Sequence, residues 1–309
     1  LMSSNPRSLK IVYMGTPEFA VPPLEALAAS QHEIVGVVTV ADKPAGRGRK
    51  IQESAVKKAA KVHGFKILQP TNLKDEEFIS ELSDLQADLF VVVAFRMLPK
   101  MVWAMPELGT FNLHGSLLPK YRGAAPIHWA IINGDEKTGL TTFLLDEKID
   151  TGNIVLQREQ EILPNMTTGE LHDALLPLGA DMVLETANTI AEGSFTALPQ
   201  EERLVSHAPK LNKENSRLDF SKSPKELVAQ IHGLNPFPGA YFGDIKFFRA
   251  ALTEEQNPSE TPKLDVRNKL LMLDYKKGSV QIRELKPSGK RLMSATDFIN
   301  GMKTNQIEL

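Results

Sequence analysis

The feature that most constrains the fold of this chain is a regular alternation of short apolar runs with segments of helical periodicity in its first half. Apolar runs occupy residues 9–14, 34–40, 65–68, 88–95 and 109–114. Runs this short and continuous are typical of strands that are buried on both faces of a parallel sheet. Helical patterns at 18–30, 54–63 and 75–82 separate them. The sequence therefore predicts an α/β fold with a doubly wound, Rossmann-like parallel sheet.

Beyond residue 126 the alternation gives way to a different pattern. A long helix is expected at 167–191, and residues 195–212 have no clear periodicity. Short strands separated by turn residues follow, as in a small β-barrel; they are expected at 240–243, 246–250, 270–274 and 279–285. The sequence therefore predicts a larger domain in residues 1–194, a linker at 195–212 and a smaller domain at 213–309.

Composition excludes several classes of protein. The 309 residues are 42% hydrophobic and 24% charged, as in soluble globular proteins, and no apolar run reaches the ~18–20 residues of a membrane-spanning helix. Residues 1–8 resemble neither a signal peptide nor a transit helix, which predicts a bacterial cytoplasmic location. The absence of cysteine excludes disulfides and a thiol nucleophile, and the seven histidines have no ligand-like spacing, so no metal site is expected.

Charge is distributed unevenly along the chain. Residues 207–309 contain 17 Lys and Arg against 12 Asp and Glu, a balance of +5, whereas the rest of the chain has a balance of −7. A basic region beside an acidic one predicts that residues 207–309 contact a polyanion such as a nucleic acid. An ordinary solvated surface is the alternative.

An amide, an imidazole and a carboxylate form the strongest candidate for a catalytic site. Asn112 and His114 lie two residues apart on the strand predicted at 109–114, so both project from the same face near the strand's end. Open parallel sheets place their ligands at that edge. With the downstream Asp150, these groups suit acyl transfer, in which one group holds an oxyanion and two handle protons. Asp146 competes for the carboxylate role but is expected to be a turn residue.

These residues belong to a longer pattern. The stretch from Asn112 to Pro126, with Asp150-Thr151-Gly152 downstream, resembles the 10-formyltetrahydrofolate-dependent formyltransferase family, most closely its members that formylate initiator methionyl-tRNA. Motifs at residues 15–19, 43–48 and 235–239 extend the resemblance over nearly the whole chain. It implies a formyltransferase catalytic domain and an OB-like β-barrel domain that contacts tRNA. It also implies 10-formyltetrahydrofolate as donor and initiator methionyl-tRNA as acceptor, and nothing in the sequence demands more than a monomer.

The resemblance also implies roles for individual residues. Asn112, His114 and Asp150 would be catalytic. Ser116, Leu117, Leu118 and Pro119 would line the folate site. Phe95 and Met97 lie at the end of the neighbouring predicted strand, and this position predicts that they wall the same pocket. Five residues would contact the tRNA substrate, namely Lys43, Arg47 and Arg49 in a basic loop at 41–50, and Tyr121 and Arg122. A solvated surface loop is the alternative for residues 41–50. The order of proton transfers among the three catalytic residues stays open.

One departure and three alternatives stay open at this point. Many relatives have Tyr-Gly where this chain has Phe95-Arg96, and Arg96 could meet the glutamate tail of the folate or point to solvent. A formyltransferase acting on a small amine, such as glycinamide ribonucleotide or an amino sugar, would share the catalytic residues. A non-catalytic RNA-binding relative would be expected to lack one of them. A nicotinamide enzyme is disfavoured because Gly46-x-Gly48 lacks the third glycine of the dinucleotide fingerprint.

Overall fold

A computed structural model describes residues 7–45, 50–193 and 195–309 of the chain. The helices of these residues are α1 Val21–Ala28, α2 Ala55–His63, α3 Glu76–Asp84, α4 Lys100–Trp103, α5 Pro126–Ile132, α6 Thr168–Glu192, α7 Pro224–Gly233 and α8 Ala295–Asn300, with 3₁₀ turns at Glu18–Ala20 and Glu202–Leu204. The strands are β1 Lys10–Gly15, β2 Glu33–Val38, β3 Lys43–Ala45, β4 Lys50–Gln52, β5 Ile67–Leu68, β6 Leu89–Val93, β7 Thr110–His114, β8 Arg122–Gly123, β9 Lys137–Leu144, β10 Ile154–Glu161, β11 His207–Ala208, β12 Ala240–Phe242, β13 Ile245–Leu252, β14 Lys263–Arg267, β15 Leu270–Tyr275, β16 Gly278–Pro287, β17 Met293–Ser294 and β18 Gln306–Glu308.

The described residues form two compact units, and neither is one continuous stretch of chain. Unit 1 is drawn from Leu1–Arg122, Gly139–Gln160 and Ala174–Ser206. Unit 2 is drawn from Gly123–Thr138, Glu161–Asp173 and His207–Leu309. The domain boundaries predicted above stay a prediction, because a compact unit is not the same as an independently folding domain.

Unit 1 contains a sheet in the order β10-β9-β7-β6-β1-β2-β5. The pairs β1–β2, β1–β6, β2–β5 and β6–β7 are parallel, and β7–β9 is antiparallel. The chain runs outward from β1 in both directions, as in a doubly wound fold. The predicted Rossmann-like parallel sheet is therefore confirmed.

Local sequence signals explain why the helices of unit 1 begin and end where they do. Ser54 caps α2 by accepting from the N–H of Lys57, and Gly64 ends α2 with a left-handed φ of 69°, which glycine adopts without strain. Asp75 caps α3 in the same way. The apolar face of α3 packs with Val102 of α4 on side chains of β1 and β6 such as Val12. Burial of this face, more than helix propensity, stabilises a helix of nine residues.

The parallel strands of unit 1 direct their carboxyl ends to one edge of the sheet. Gly15 ends β1, Val93 ends β6 and His114 ends β7, and the three strands are neighbours in the order β7-β6-β1. The loops that leave these strands therefore begin side by side. This is the edge at which α/β sheets bind their ligands.

Unit 2 contains an antiparallel sheet in the order β12-β13-β16-β15-β14-β18, with β17 beside β16. Helix α7 carries the capping box Ser223–Glu226 and buries Leu227 and Ile231 against the sheet. Antiparallel strands of this number around one apolar core are consistent with the small barrel that the sequence predicts.

A buried histidine makes the stability of unit 2 depend on pH. His232 accepts a hydrogen bond from the Ala250 N–H at 3.2 Å. Burial, with repulsion from the charge of Arg249, lowers the pKa of His232 to about 4, while Glu170 acts in the opposite direction. In the unfolded chain the pKa is about 6.5. The unfolded state therefore binds the proton first as the pH falls.

We expect the free energy of unfolding to decrease by roughly 2–3 kcal/mol between about pH 6.5 and pH 4 through this group. Denaturant unfolding at a series of pH values, followed by circular dichroism, measures the decrease. The variant His232→Gln retains an acceptor for the Ala250 N–H but does not titrate, so its slope in this window should be smaller. Equal slopes in both proteins would contradict the assignment to His232.

Candidate active site

Asn112 and His114 occupy adjacent positions on one face of β7, in the interior of the sheet of unit 1. Asn112 is paired with Val92 of β6 and Phe143 of β9, and His114 is paired with Thr141 of β9. A central strand with neighbours on both sides holds its side chains more rigidly than a loop does. The predicted amide–imidazole pair therefore lies on a fixed support at the carboxyl edge.

The two nitrogens of His114 have different partners. Nε2 lies 2.8 Å from the carbonyl oxygen of Tyr121, and a carbonyl only accepts, so Nε2 must carry a proton in this arrangement. Nδ1 lies 3.9 Å from Oδ2 of Asp150. The ring is 6% exposed and meets Phe143 edge-on, with 6.5 Å between the ring centroids. Nδ1 is therefore the nitrogen that is left to exchange a proton.

Asp150 faces His114 because of an unusual loop conformation. Its φ is +56°, a left-handed value that non-glycine residues adopt only at a cost. Two residues later, a Cβ at Gly152 would lie 1.6 Å from the carbonyl oxygen of Leu144. Only glycine allows this approach. Asp146 accepts from the Thr151 hydroxyl at 2.6 Å and therefore stabilises the turn, as the sequence predicts.

The close approach at Gly152 gives a direct test of the loop. Gly152→Ala is expected to force the backbone away from Leu144, to destabilise the protein by about 1–3 kcal/mol and to reduce the rate of the catalysed reaction by about 10²-fold, because a displacement of about 1 Å can cost that much. Thermal unfolding and steady-state kinetics measure the two effects. Gly301→Ala is the matched control, since φ is −92° there and the nearest atom to its Cβ lies at 3.5 Å. Normal activity in Gly152→Ala would contradict the role of the loop.

Asn112 has an unpaired polar atom. Its Oδ1 is buried and has no hydrogen-bond partner among the described residues. Folded proteins rarely leave a buried acceptor unpaired, because the lost hydrogen bond costs about 1–3 kcal/mol. An asparagine that only stabilised the sheet would be expected to have its oxygen paired. The unpaired oxygen therefore indicates that Asn112 does more than stabilise the sheet.

The loop after β7, predicted to line a folate site, is held by hydrogen bonds. The hydroxyl of Ser116 donates to the Lys120 carbonyl at 2.5 Å. The hydroxyl of Thr141 donates to the Ser116 carbonyl at 2.7 Å and accepts from the Leu118 N–H at 3.0 Å. Ser116, Leu118 and Pro119 are buried, and Leu117 is half-buried. The loop is rigid enough to form one wall of a binding site, and its contact with folate stays a prediction.

The carboxyl end of β6 carries the other residues predicted to bind folate. Phe95 is half-buried and Met97 is exposed. Arg96 donates to the carbonyl oxygens of Pro70 and Thr71, and its guanidinium carbon lies 5.6 Å from the centre of the Phe95 ring. Arg96 therefore braces the loop that follows β5, and a contact with the glutamate tail of the folate stays a prediction.

The residues predicted to contact the substrate fall into three groups. Arg47 and Arg49 lie outside the described residues. Lys43 is exposed on β3, which pairs with β4 in a hairpin; at the base of this hairpin, Asp42 accepts from Lys57 at 2.5 Å. Tyr121 and Arg122 are buried. Tyr121 supplies the carbonyl that orients His114, so its backbone serves the site, and a contact of either side chain with substrate stays a prediction.

Two residues near the site carry no signal in the sequence. Thr141 ties the loop after β7 to β9, and Gln200 donates to the backbone of the Asp150 loop. Both depend on contacts between distant parts of the chain.

Within the described ranges, no group of three or more His, Asp and Glu residues could hold a metal ion. Over the same ranges, none of the helices has the length and apolar character needed to span a membrane.

Comparison with known proteins assigns the chain to a family. Residues 9–186 match the formyl transferase family and residues 210–303 match the formyl transferase C-terminal domain. The methionyl-tRNA formyltransferase of Flavobacterium johnsoniae is 48% identical over 95% of this chain and 96% of its own length. That of Parabacteroides distasonis is 44% identical over 96% of each chain.

Solved structures agree on the fold. An N-formyltransferase from Helicobacter canadensis superposes with a TM-score of 0.66 at 20% identity, covering 89% of this chain and 98% of that one. HypX from Aquifex aeolicus superposes with a TM-score of 0.65 at 17% identity, covering 96% of this chain. This chain spans 47% of the length of HypX. Together the fold and the family match define an enzyme that transfers formyl groups. The chain belongs to the formyl transferase family and, within it, to the methionyl-tRNA formyltransferases.

Proposed function

We propose that the chain transfers the formyl group of 10-formyltetrahydrofolate to the amino group of methionine on initiator methionyl-tRNA. The observation that supports this most directly is the His114–Asp150 pair, with Asn112 on the same face of the strand that carries His114. Relatives that match nearly the whole chain carry the name methionyl-tRNA formyltransferase. Solved neighbours bind tetrahydrofolic acid or folinic acid, which supports a folate as the donor.

The three side chains divide the chemistry among them. The amine nitrogen forms a bond to the formyl carbon, and the carbonyl oxygen becomes an oxyanion that Asn112 stabilises by donating a hydrogen bond. His114 exchanges a proton through Nδ1, since Nε2 is held by the Tyr121 carbonyl. Asp150 accepts the proton that the amine loses or holds His114 in its charged form. The oxyanion then re-forms the carbonyl as the bond from the formyl carbon to N10 breaks, and N10 takes a proton, so that charge balances.

We extend the proposal to the residues that bind the folate donor and the tRNA. Ser116, Leu117, Leu118 and Pro119 form one wall of the folate site, and Phe95 and Met97 form the other. The basic loop with Lys43, Arg47 and Arg49 contacts tRNA phosphates. A monomeric protein in a bacterial cytoplasm stays a prediction.

The test is transfer of a radiolabelled formyl group to charged initiator methionyl-tRNA, with glycinamide ribonucleotide and a dTDP-linked amino sugar as parallel acceptors. Label on the tRNA alone supports the proposal. Label on a small amine alone would overturn the acceptor and leave the chemistry in place. The amino sugar is the stronger of the two alternatives, because a solved structure of similar fold is bound to dTDP-3-aminofucose.

Arg47→Ala tests the basic loop. We expect kcat/KM for methionyl-tRNA to fall about tenfold, because one lost phosphate contact weakens binding of a polyanion. The slow hydrolysis of the folate donor without tRNA should be unaffected. Arg203→Ala, which removes an exposed arginine paired with Glu201, is the control for the loss of one charge. An equal reduction of both reactions in Arg47→Ala would argue against a tRNA contact.

A further inference from the structure

The segment that the sequence predicts as a linker makes close contacts with the loops of the candidate site. Residues 198–206, here called the bracing segment, exchange two backbone hydrogen bonds with Ile154 through Leu198, at 2.8 and 2.9 Å. At its other end Ser206 accepts from the backbone N–H groups of Tyr121 and Arg122, both at 2.9 Å. Tyr121 is the residue whose carbonyl orients His114. The bracing segment is therefore fixed at both ends to the strands and loops around the site.

Gln200 connects the middle of the bracing segment to the Asp150 loop. Its Nε2 donates to the carbonyl oxygens of Asp150 and Gly152, at 2.9 Å each. Each proton of the amide is therefore donated to a different carbonyl oxygen of the same turn. These bonds hold the residue whose left-handed backbone directs its carboxylate to His114.

Arg122 fixes the orientation of the Gln200 amide. The guanidinium is 8% exposed and donates to Oε1 of Gln200 from Nε at 3.1 Å and from Nη2 at 2.8 Å. A guanidinium has only donors, so the amide must present its oxygen to Arg122 and its nitrogen to the Asp150 loop. Two donors from a rigid fork leave the amide little freedom to rotate. Glu202 also accepts from Arg122, at 3.0 Å.

We propose that Gln200, oriented by Arg122, is a positioning residue that holds Asp150 in place for formyl transfer. It does not meet the substrates and acts only through the Asp150 loop. The charge of Arg122 polarises the amide and strengthens both of its bonds to the loop, because neighbouring hydrogen bonds reinforce one another in a region shielded from water. Arg122 thus serves the site through its buried side chain.

The proposal rests on formyl transfer as the reaction, and a double-mutant cycle tests it. Gln200→Ala is expected to lower kcat about 10–10²-fold, since a shift of about 1 Å in a catalytic group can cost 10²-fold. KM for the folate donor and for the acceptor should stay within about twofold. In the Asp150→Asn background, Gln200→Ala should have no further effect on kcat, because its whole effect passes through Asp150.

Gln200→Glu separates positioning from folding. It retains an acceptor for Arg122, which protects the buried guanidinium, but replaces the two donated protons by a carboxylate that repels the carbonyls of Asp150 and Gly152. Its unfolding midpoint should be higher than that of Gln200→Ala, because Arg122 keeps its acceptor, whereas its kcat should fall as in Gln200→Ala. Glu201→Gln is the matched control, because Glu201 is the neighbour of Gln200 in the chain and pairs with the exposed Arg203; its kcat should stay within about twofold of the native value.

The outcomes are distinct. A kcat of Gln200→Glu within about twofold of the native value, or additive losses in the cycle, would overturn the positioning role. A rise in KM with unchanged kcat would instead indicate a substrate contact and also overturn it. If the native chain formylates only a small amine, the proposed acceptor fails, and the same cycle is then run with that amine.

Discussion

Asn112→Ala is expected to lower kcat for formyl transfer by about 10²–10³-fold while the protein remains folded. Loss of one oxyanion donor typically costs this much. Oδ1 of Asn112 already lacks a partner, so the variant removes no hydrogen bond from that atom and the loss of stability should be small. Steady-state kinetics with methionyl-tRNA measure the rate, and thermal unfolding measures the stability.

Thr110→Val is the matched control for Asn112. Thr110 lies on the same face of β7 two residues earlier, and its hydroxyl donates to the Trp103 carbonyl at 2.7 Å. The substitution keeps the shape, removes one buried hydrogen bond and should cost about 1 kcal/mol of stability with little change in kcat. If Thr110→Val slowed the reaction as much as Asn112→Ala, the loss would reflect damage to β7 and the oxyanion role would be rejected.

Asp150→Asn is expected to lower kcat by about 10²–10⁴-fold, the usual contribution of a positioned acid or base. The amide keeps the size of the carboxylate but cannot accept the amine proton or balance a charge on His114 across the 3.9 Å to Nδ1. The backbone of residue 150 is held by Gln200 in both proteins, so the loop should keep its place. Rapid-quench measurement of a single turnover isolates the chemical step.

Asp146→Asn is the control for Asp150, in the same turn and with the same change of charge. Asp146 accepts from the Thr151 hydroxyl and the Lys148 N–H, bonds that an asparagine oxygen can also accept. Its kcat should stay within about twofold of the native value. A larger loss in Asp146→Asn than in Asp150→Asn would exchange the roles of the two carboxylates.

The first sheet was predictable from the sequence because burial on both faces leaves a plain signal. The apolar runs at 9–14, 88–95 and 109–114 correspond to β1, β6 and β7, with ends that differ by at most two residues. Short strands on surfaces lack this signal. The hairpin of β3 and β4 was therefore missed. Strands β14 and β18 were missed as well, and β18 depends on pairing with β14, which is distant in sequence.

The candidate site, too, was predictable from the sequence only in part. Asn112 and His114 could be proposed because the i, i+2 rule places them on one face of a strand. That these two residues lie close to Asp150 could not be predicted, because it depends on the left-handed backbone of residue 150 and on the close approach at Gly152. Gln200 lies in a segment without periodicity that has the appearance of a linker. Its importance comes from three partners, Arg122, Asp150 and Gly152, of which the nearest is 48 residues away.

The division of unit 2 among three stretches of chain has a consequence for synthesis on the ribosome. Ile132 of α5 belongs to the same apolar core as Leu227 and Ile231 of α7. When α5 leaves the ribosome, its core partners have not been translated. At about 5–20 residues per second, the roughly 90 residues from α5 to α7 take about 5–20 s. During that interval the apolar face of α5 has no native partner, so a nascent chain that pauses there presents the surface that chaperones bind.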